Sequence, residues 1–268
     1  MVHRALIARL GFALAALVAV ASLGGVFSPA VYARETPTWA AQALGQDVVN
    51  LVVAVPWLVL SSVGVHRGSR RAAHLLAGGF VYGVYAYLFY ALAVHFNALF
   101  LIYCGALGVS AFGFGAVSWA LAQGDPCADE DGRAPNRVVG VTLLLVAGLF
   151  AALWLSEVVP ALVKGTTPPS VVEAGLFTNP AQALDLSLLL PALAVAGVSR
   201  LRRGAVGVVF APMLLGFAVL MTAAIGGMIV VMRLRDVPAD GWIAAVFAGV
   251  AAVMAVELGW LLRSVRDA

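Results

Sequence analysis

The stretch Ala41-Gln42-Ala43-Leu44-Gly45-Gln46-Asp47-Val48-Val49-Asn50-Leu51-Val52-Val53-Ala54-Val55-Pro56 decides how this chain is read. It places an acid and three amides at the mouth of an apolar run. Such a run can cross a bilayer, whose hydrocarbon core needs about 20 mainly apolar residues of helix. Gln42, Gln46 and Asn50 recur at every fourth position, with Asp47 beside Asn50, so the spacing predicts a polar stripe along one helical face. A shorter relative, Ala181-Gln182-Ala183-Leu184-Asp185, runs on to Pro191 in the second half.

Around these two stretches the chain is mostly apolar. Of its 268 residues, 63% are hydrophobic and 11% charged, and the mean hydropathy is +1.01. A soluble domain carries roughly 25% charged residues. So little charge cannot cover a surface in water, so the surface faces lipid. The net charge of +3 therefore implies no nucleic-acid partner, and the partner expected is the lipid bilayer. Cys104 sits in an apolar run and Cys127 in a polar loop, which disfavours a disulfide framework. No CxxC or Cys/His metal spacing occurs, and no cofactor is expected.

The fold class that follows is an all-α membrane protein of about eight transmembrane helices, near residues 8–28, 46–65, 72–94, 98–122, 138–159, 180–199, 204–232 and 241–262. Orientation follows from Arg and Lys in the connections. With the N-terminus cytoplasmic, twelve of these residues fall inside, Arg70, Arg71, Arg202 and Arg203 among them. Only Arg34, Lys164, Arg233 and Arg235 fall outside. Both termini are therefore expected in the cytoplasm, of a cell or inner membrane. Arg4, Arg9 and the following apolar run also fit a cleavable signal. The run is long for one, so a retained first span is expected. Trp39 reads as an interfacial anchor, and the tyrosines of the third span as packing. Asn179-Pro180 predicts a helix start, with Asn as cap and Pro at the first helical position.

The chain is read as one polytopic domain, 1–268. The two Ala-Gln-Ala-Leu elements are each followed by an Asp, a Pro and then a double Arg. Asp47, Pro56 and Arg70-Arg71 stand against Asp185, Pro191 and Arg202-Arg203. They suggest half-repeats 1–122 and 138–268, a parallel 4+4 arrangement, joined by a cytoplasmic linker 123–137. Gaps are needed to align them, and chance similarity of Ala/Leu-rich helices is the competing reading. Transporter folds use such repeats and bind substrate between them.

Charged groups inside hydrocarbon need a partner or a wet cavity. The 14 residues from Leu186 to Ser199 make about 21 Å of helix. That is short of the roughly 30 Å hydrocarbon core. The sixth helix must then begin near Pro180 and carry Asp185 below the membrane surface. The polar residues Gln46, Asp47, Asn50, His95, Asn97, Glu157, Gln182 and Asp185 are expected at the outer side. They form a candidate outward-facing polar pocket lined by spans two, three, five and six, with Asp47 and Asp185 as its main charged contacts. Glu257, toward the cytoplasm, is expected to snorkel or to pair with an Arg.

Three functions stay open. One is binding or transport of a small polar solute or ion. Another is a structural component whose amides and acids are interhelical glue. The third is an enzyme using Asp47, Glu157, Asp185 and His95. The four histidines do not supply a transmembrane bis-haem site, no HExxH is present, and Ser110 lacks an evident base.

Thr36-Pro37-Thr38-Trp39-Ala40-Ala41-Gln42-Ala43-Leu44-Gly45-Gln46-Asp47 resembles a family of uncharacterised bacterial multi-pass integral membrane proteins. So do His95-Phe96-Asn97-Ala98-Leu99-Phe100 and Asn179-Pro180 with Asp185. The resemblance implies a bacterial inner-membrane setting and no activity, cofactor or catalytic residue.

Overall fold

Among the described residues of a computed structural model, eight helices are long and apolar enough to cross a membrane: Arg4–Phe27, Pro37–His66, Arg70–Leu92, Phe100–Ala122, Asn136–Lys164, Pro180–Leu201, Ala205–Leu234 and Gly241–Ser264. They are called spans one to eight below. The structure describes residues 3–123 and 135–266. The expected linker, with Asp125, Cys127, Asp129, Glu130 and Asp131, lies outside the described residues. A short helix, Pro169–Ala174, occupies the connection between spans five and six.

Span two starts well before the expected position 46. The Thr36 side chain caps it, accepting from the Trp39 N–H at 3.3 Å, and Pro37 fills the first helical position. Gln42, Gln46, Asp47 and Asn50 are thereby drawn inside the span. The sixth span begins at Pro180, as its length required. Asn179 Oδ1 accepts from the Ala181 N–H at 2.9 Å. Trp39 is more than an interfacial anchor. It donates through Nε1 to the Ala93 carbonyl at 3.2 Å and stacks near Phe89, tying the start of span two to the end of span three.

Spans two and six share a local distortion. Each contains a π-helical segment, Asn50–Ala54 and Asp185–Leu189, and in each a proline is the second residue after it. A proline ring clashes with the carbonyl four residues back and supplies no N–H. Widening the preceding turn relieves that clash. The Val55 N–H then reaches the Asn50 carbonyl, and the Leu190 N–H reaches that of Asp185. Both π segments open on a buried polar side chain.

Spans one and two, two and three, and three and four pack together. So do spans five and six, six and seven, and seven and eight. Span seven also packs across the midline on spans two and three, and this joins the halves. Arg71 Nε donates to the Val265 carbonyl at 3.0 Å, so span three begins at the end of the bundle where span eight finishes.

Apolar surface is no longer hidden from water by packing once it sits in lipid, so close backbone contact and hydrogen bonds hold such bundles. The closest contacts centre on span seven. A Cβ on Gly78 would stand 2.8 Å from the Met213 carbonyl oxygen and 3.0 Å from the Gly216 Cα. One on Gly45 would stand 2.5 Å from the Met228 Cα. Gly78→Ala should therefore lower the thermal midpoint of the purified protein, at a cost of roughly 1–3 kcal/mol for overpacking against backbone. Gly148→Ala meets nothing within 4 Å and should leave the midpoint unchanged or raise it. Equal midpoints for the two variants would disprove this packing.

Candidate functional site

The eight expected site residues fall into four separate groups. The first surrounds Asp47; Gln46 joins it by donating from Nε2 to Tyr82 Oη at 3.4 Å, and Gln46 and Tyr90 are its side chains that also border the cavity described below. Tyr32 Oη donates to Asp47 Oδ2 at 2.5 Å and Tyr90 Oη to Oδ1 at 3.1 Å, with Tyr90 also reaching the Ala43 carbonyl at 3.2 Å. Burial, with the Asp47 carboxylate beside it, pushes the Tyr32 hydroxyl far above the usual phenol range, so it stays a donor. Tyr82 Oη donates to Asn50 Oδ1 at 2.6 Å, and Asn50 Nδ2 donates to Ser22 Oγ at 3.1 Å. Asp47, Asn50, Ser22, Tyr82 and Tyr90 are all buried. Both Asp47 oxygens are engaged and Gly25 presses against them. This group fastens spans one, two and three to one another.

The second group is a turn. The His95 N–H donates to Glu35 Oε1 at 2.8 Å, and its Nδ1 lies 3.0 Å from Glu35 Oε2. Asn97 Oδ1 accepts from the Leu99 N–H at 2.9 Å, closing the connection between spans three and four. His95 is exposed, and neither residue lines the cavity beside Asp185.

Glu157 organises the third group. Its Oε1 accepts from the Ser170 N–H at 2.8 Å, and its Oε2 from Ser170 Oγ at 3.0 Å and Gln182 Nε2 at 2.6 Å. Asn179 Nδ2 adds a bond to Ser170 Oγ at 3.1 Å. A carboxylate at the start of a helix satisfies its free N–H groups. Glu157 thus pins the short helix Pro169–Ala174 to spans five and six.

Asp185 stands in the fourth. Tyr85 Oη donates to its Oδ1 at 3.0 Å and Trp154 Nε1 to its Oδ2 at 2.7 Å. Unlike Asp47, it lines a cavity, of about 630 Å³. A carboxylate has about four lone-pair sites, so two protein donors leave capacity for a ligand.

The pocket differs from expectation in composition and in membership. Spans two, three, five and six do line it, but spans seven and eight and the short helix line it as well. Its wall is mainly Leu, Phe, Met, Val and Ile, where a polar pocket was expected. Of the expected residues only Gln46 and Asp185 reach it. Asp47, Asn50, His95, Asn97, Glu157 and Gln182 do not. The two acids therefore do not meet. Asp47 faces span one, while Asp185 faces the space enclosed by spans two, three, five, seven and eight. Among the described residues the wall contains two acids, Asp185 and Glu173, aromatic rings from Trp39, Tyr85, Phe89, Trp154 and Phe217 among others, and no Arg, Lys or His.

Asp47, Glu157, Asp185 and His95, the proposed acid–base set, are thus distributed over four networks. Among the described residues no group of three or more His, Cys, Asp or Glu could hold a metal ion. Glu257 does not pair with an arginine through its Oε1, which accepts from Thr142 Oγ1 of span five at 2.8 Å.

The sequence reading missed Tyr85 and Trp154 as partners of Asp185, Tyr32 and Tyr90 as partners of Asp47, and Glu35 as the partner of His95. The aromatic spacing of span three was visible, but nothing in it told which tyrosine would meet which acid. No family model matches the chain, and neither a curated protein nor a solved structure is found similar to it.

Proposed function

We propose that this protein is a bacterial inner-membrane protein with both termini cytoplasmic, and that it binds small organic cations in its central cavity as the first step of their passage. The observation that carries this reading is the chemistry of the wall. A carboxylate with spare acceptor capacity stands among aromatic rings, and among the described residues no basic side chain lines the cavity. An unpaired carboxylate in a medium of low dielectric is costly, and a ligand cation compensates it. Aromatic faces add cation–π attraction, worth about 2 kcal/mol where water is excluded. The expected polar solute is thereby narrowed to a cation with an apolar body.

The same reading takes the halves as a duplication. Registered on the π segments, Asn50 stands opposite Asp185 and Asp47 opposite Gln182, without a gap as far as Pro56 and Pro191. Matching the Ala-Gln-Ala-Leu elements pairs the two acids differently. The π register is favoured because it matches backbone geometry. One half has kept its polar groups as glue, and the other has opened them to a ligand.

The test is equilibrium binding of tetraphenylphosphonium to the full-length protein in lipid nanodiscs. Saturable binding that weakens at least tenfold in Asp185→Asn is expected. Absence of saturable binding to the unaltered protein, or affinity indifferent to Asp185→Asn, refutes the reading.

A further inference from the structure

We infer that the ligand reaches the cavity sideways, from the lipid, through a gap between spans five and eight. This inference rests on the cation-binding reading above and narrows its substrate class to lipophilic monocations dissolved in the bilayer. Spans five and eight meet at one end only. There Thr142, near the start of span five, donates to Glu257, near the end of span eight. Elsewhere the two helices barely touch. Their counterparts in the first half, spans one and four, pack side by side.

The residues along the splayed part bear out an opening. Leu149 and Leu153 of span five and Val246 and Val250 of span eight all line the cavity. The same four side chains are 68%, 54%, 49% and 37% exposed. A side chain that both lines a cavity and is exposed at the bundle surface marks the rim of an aperture. Each of the four is aliphatic, as a rim facing acyl chains requires.

The end of the cavity, by contrast, carries the short helix Pro169–Ala174, which supplies Ser170, Glu173 and Ala174 to the wall and packs on the start of span two. Glu173 is exposed as well as part of the wall, so the edge at this end is acidic and not aliphatic. The Glu157 carboxylate holds the short helix there through both the Ser170 N–H and hydroxyl. The aliphatic rim at the side favours solutes that partition into lipid. Asp185, met inside, then selects those carrying positive charge.

The experiment measures the association rate of tetraphenylphosphonium with the full-length protein in nanodiscs by stopped flow. Four proteins are compared: the unaltered chain, the rim pair Leu149→Trp with Val246→Trp, Val253→Trp, and Val172→Trp. Val253 is exposed on span eight and does not line the cavity. Val172 is exposed on the short helix at the end of the cavity and does not line it. The rim pair should associate at least tenfold more slowly, with Val253→Trp and Val172→Trp near the unaltered rate. Tetramethylammonium, of equal charge but excluded from lipid, should bind at least a hundredfold more weakly. A rim pair at the unaltered rate, or a Val172→Trp variant slowed as much as the rim pair, overturns lateral access while leaving cation binding intact. Failure of the unaltered protein to bind tetraphenylphosphonium overturns the cation reading itself. Should the rim pair not fold, Val246→Cys in a Cys104→Ser, Cys127→Ser background, alkylated after purification with a bulky maleimide, gives the same rate comparison.

Discussion

Asp47→Ala is expected to destabilise the bundle by about 2–4 kcal/mol, the cost of stranding buried donors that have no water to turn to. Its carboxylate accepts from Tyr32 on one oxygen and Tyr90 on the other. Removing it leaves the Tyr32 hydroxyl without its acceptor, while Tyr90 keeps the Ala43 carbonyl at 3.2 Å. The loss should therefore be less than two full desolvation penalties. Asp47→Asn should lie between, because an amide offers one acceptor where two donors converge. A fall in the thermal midpoint of the purified protein, in the order Asp47→Ala, Asp47→Asn, unaltered, is the measurement. Tetraphenylphosphonium affinity of whatever fraction stays folded should be nearly unchanged, because Asp47 does not line the cavity. An Asp47→Ala protein that melts with the unaltered one but no longer binds the cation would reverse the roles assigned to the two acids.

Asp185 should behave in the opposite way. Removing one partner of a desolvated charge pair costs about 2–5 kcal/mol of binding, and each 1.4 kcal/mol is about tenfold in affinity. Asp185→Asn is thus expected to weaken tetraphenylphosphonium binding by about one and a half to three and a half orders of magnitude. Its effect on the midpoint should be smaller than that of Asp47→Ala, since the introduced amide oxygen can still accept from Tyr85 or Trp154. Tyr85→Phe and Trp154→Phe each remove one donor to the carboxylate and keep a ring at the wall. They should change affinity far less than Asp185→Asn. If either matched it, the carboxylate would owe its effect to the aromatic frame and not to its charge.

The contrast between the acids marks the limit of what spacing can tell. Gln42, Gln46 and Asn50, four residues apart, read as one stripe along the sequence. At 3.6 residues per turn, a four-residue step drifts about 40° around the helix. Over two such steps the stripe turns far enough that Gln42 and Gln46 line the cavity while Asn50 meets Ser22 of span one. His95 and Asn97 were expected at the site because the sequence puts them at the same end of the spans. They are consumed instead by a tight turn and by Glu35, from a connection remote in sequence.

The sequence by itself determined the helical class, eight apolar segments long enough for a bilayer, the start of span six at Asn179-Pro180 and the place of Asp185 inside that span. Each follows from properties counted along the chain: apolar run length, rise per residue and capping chemistry. Only the tertiary structure decided that Asp47 is sealed and Asp185 open, that the cavity wall is mainly apolar, and that spans five and eight part at one end. These depend on how each helix is rotated and tilted against its neighbours. That choice is made by contacts such as Gly78 on span seven and by the π segments before Pro56 and Pro191. A rotation of a few tens of degrees exchanges a hydrogen-bond partner for a cavity without altering the local pattern of the sequence.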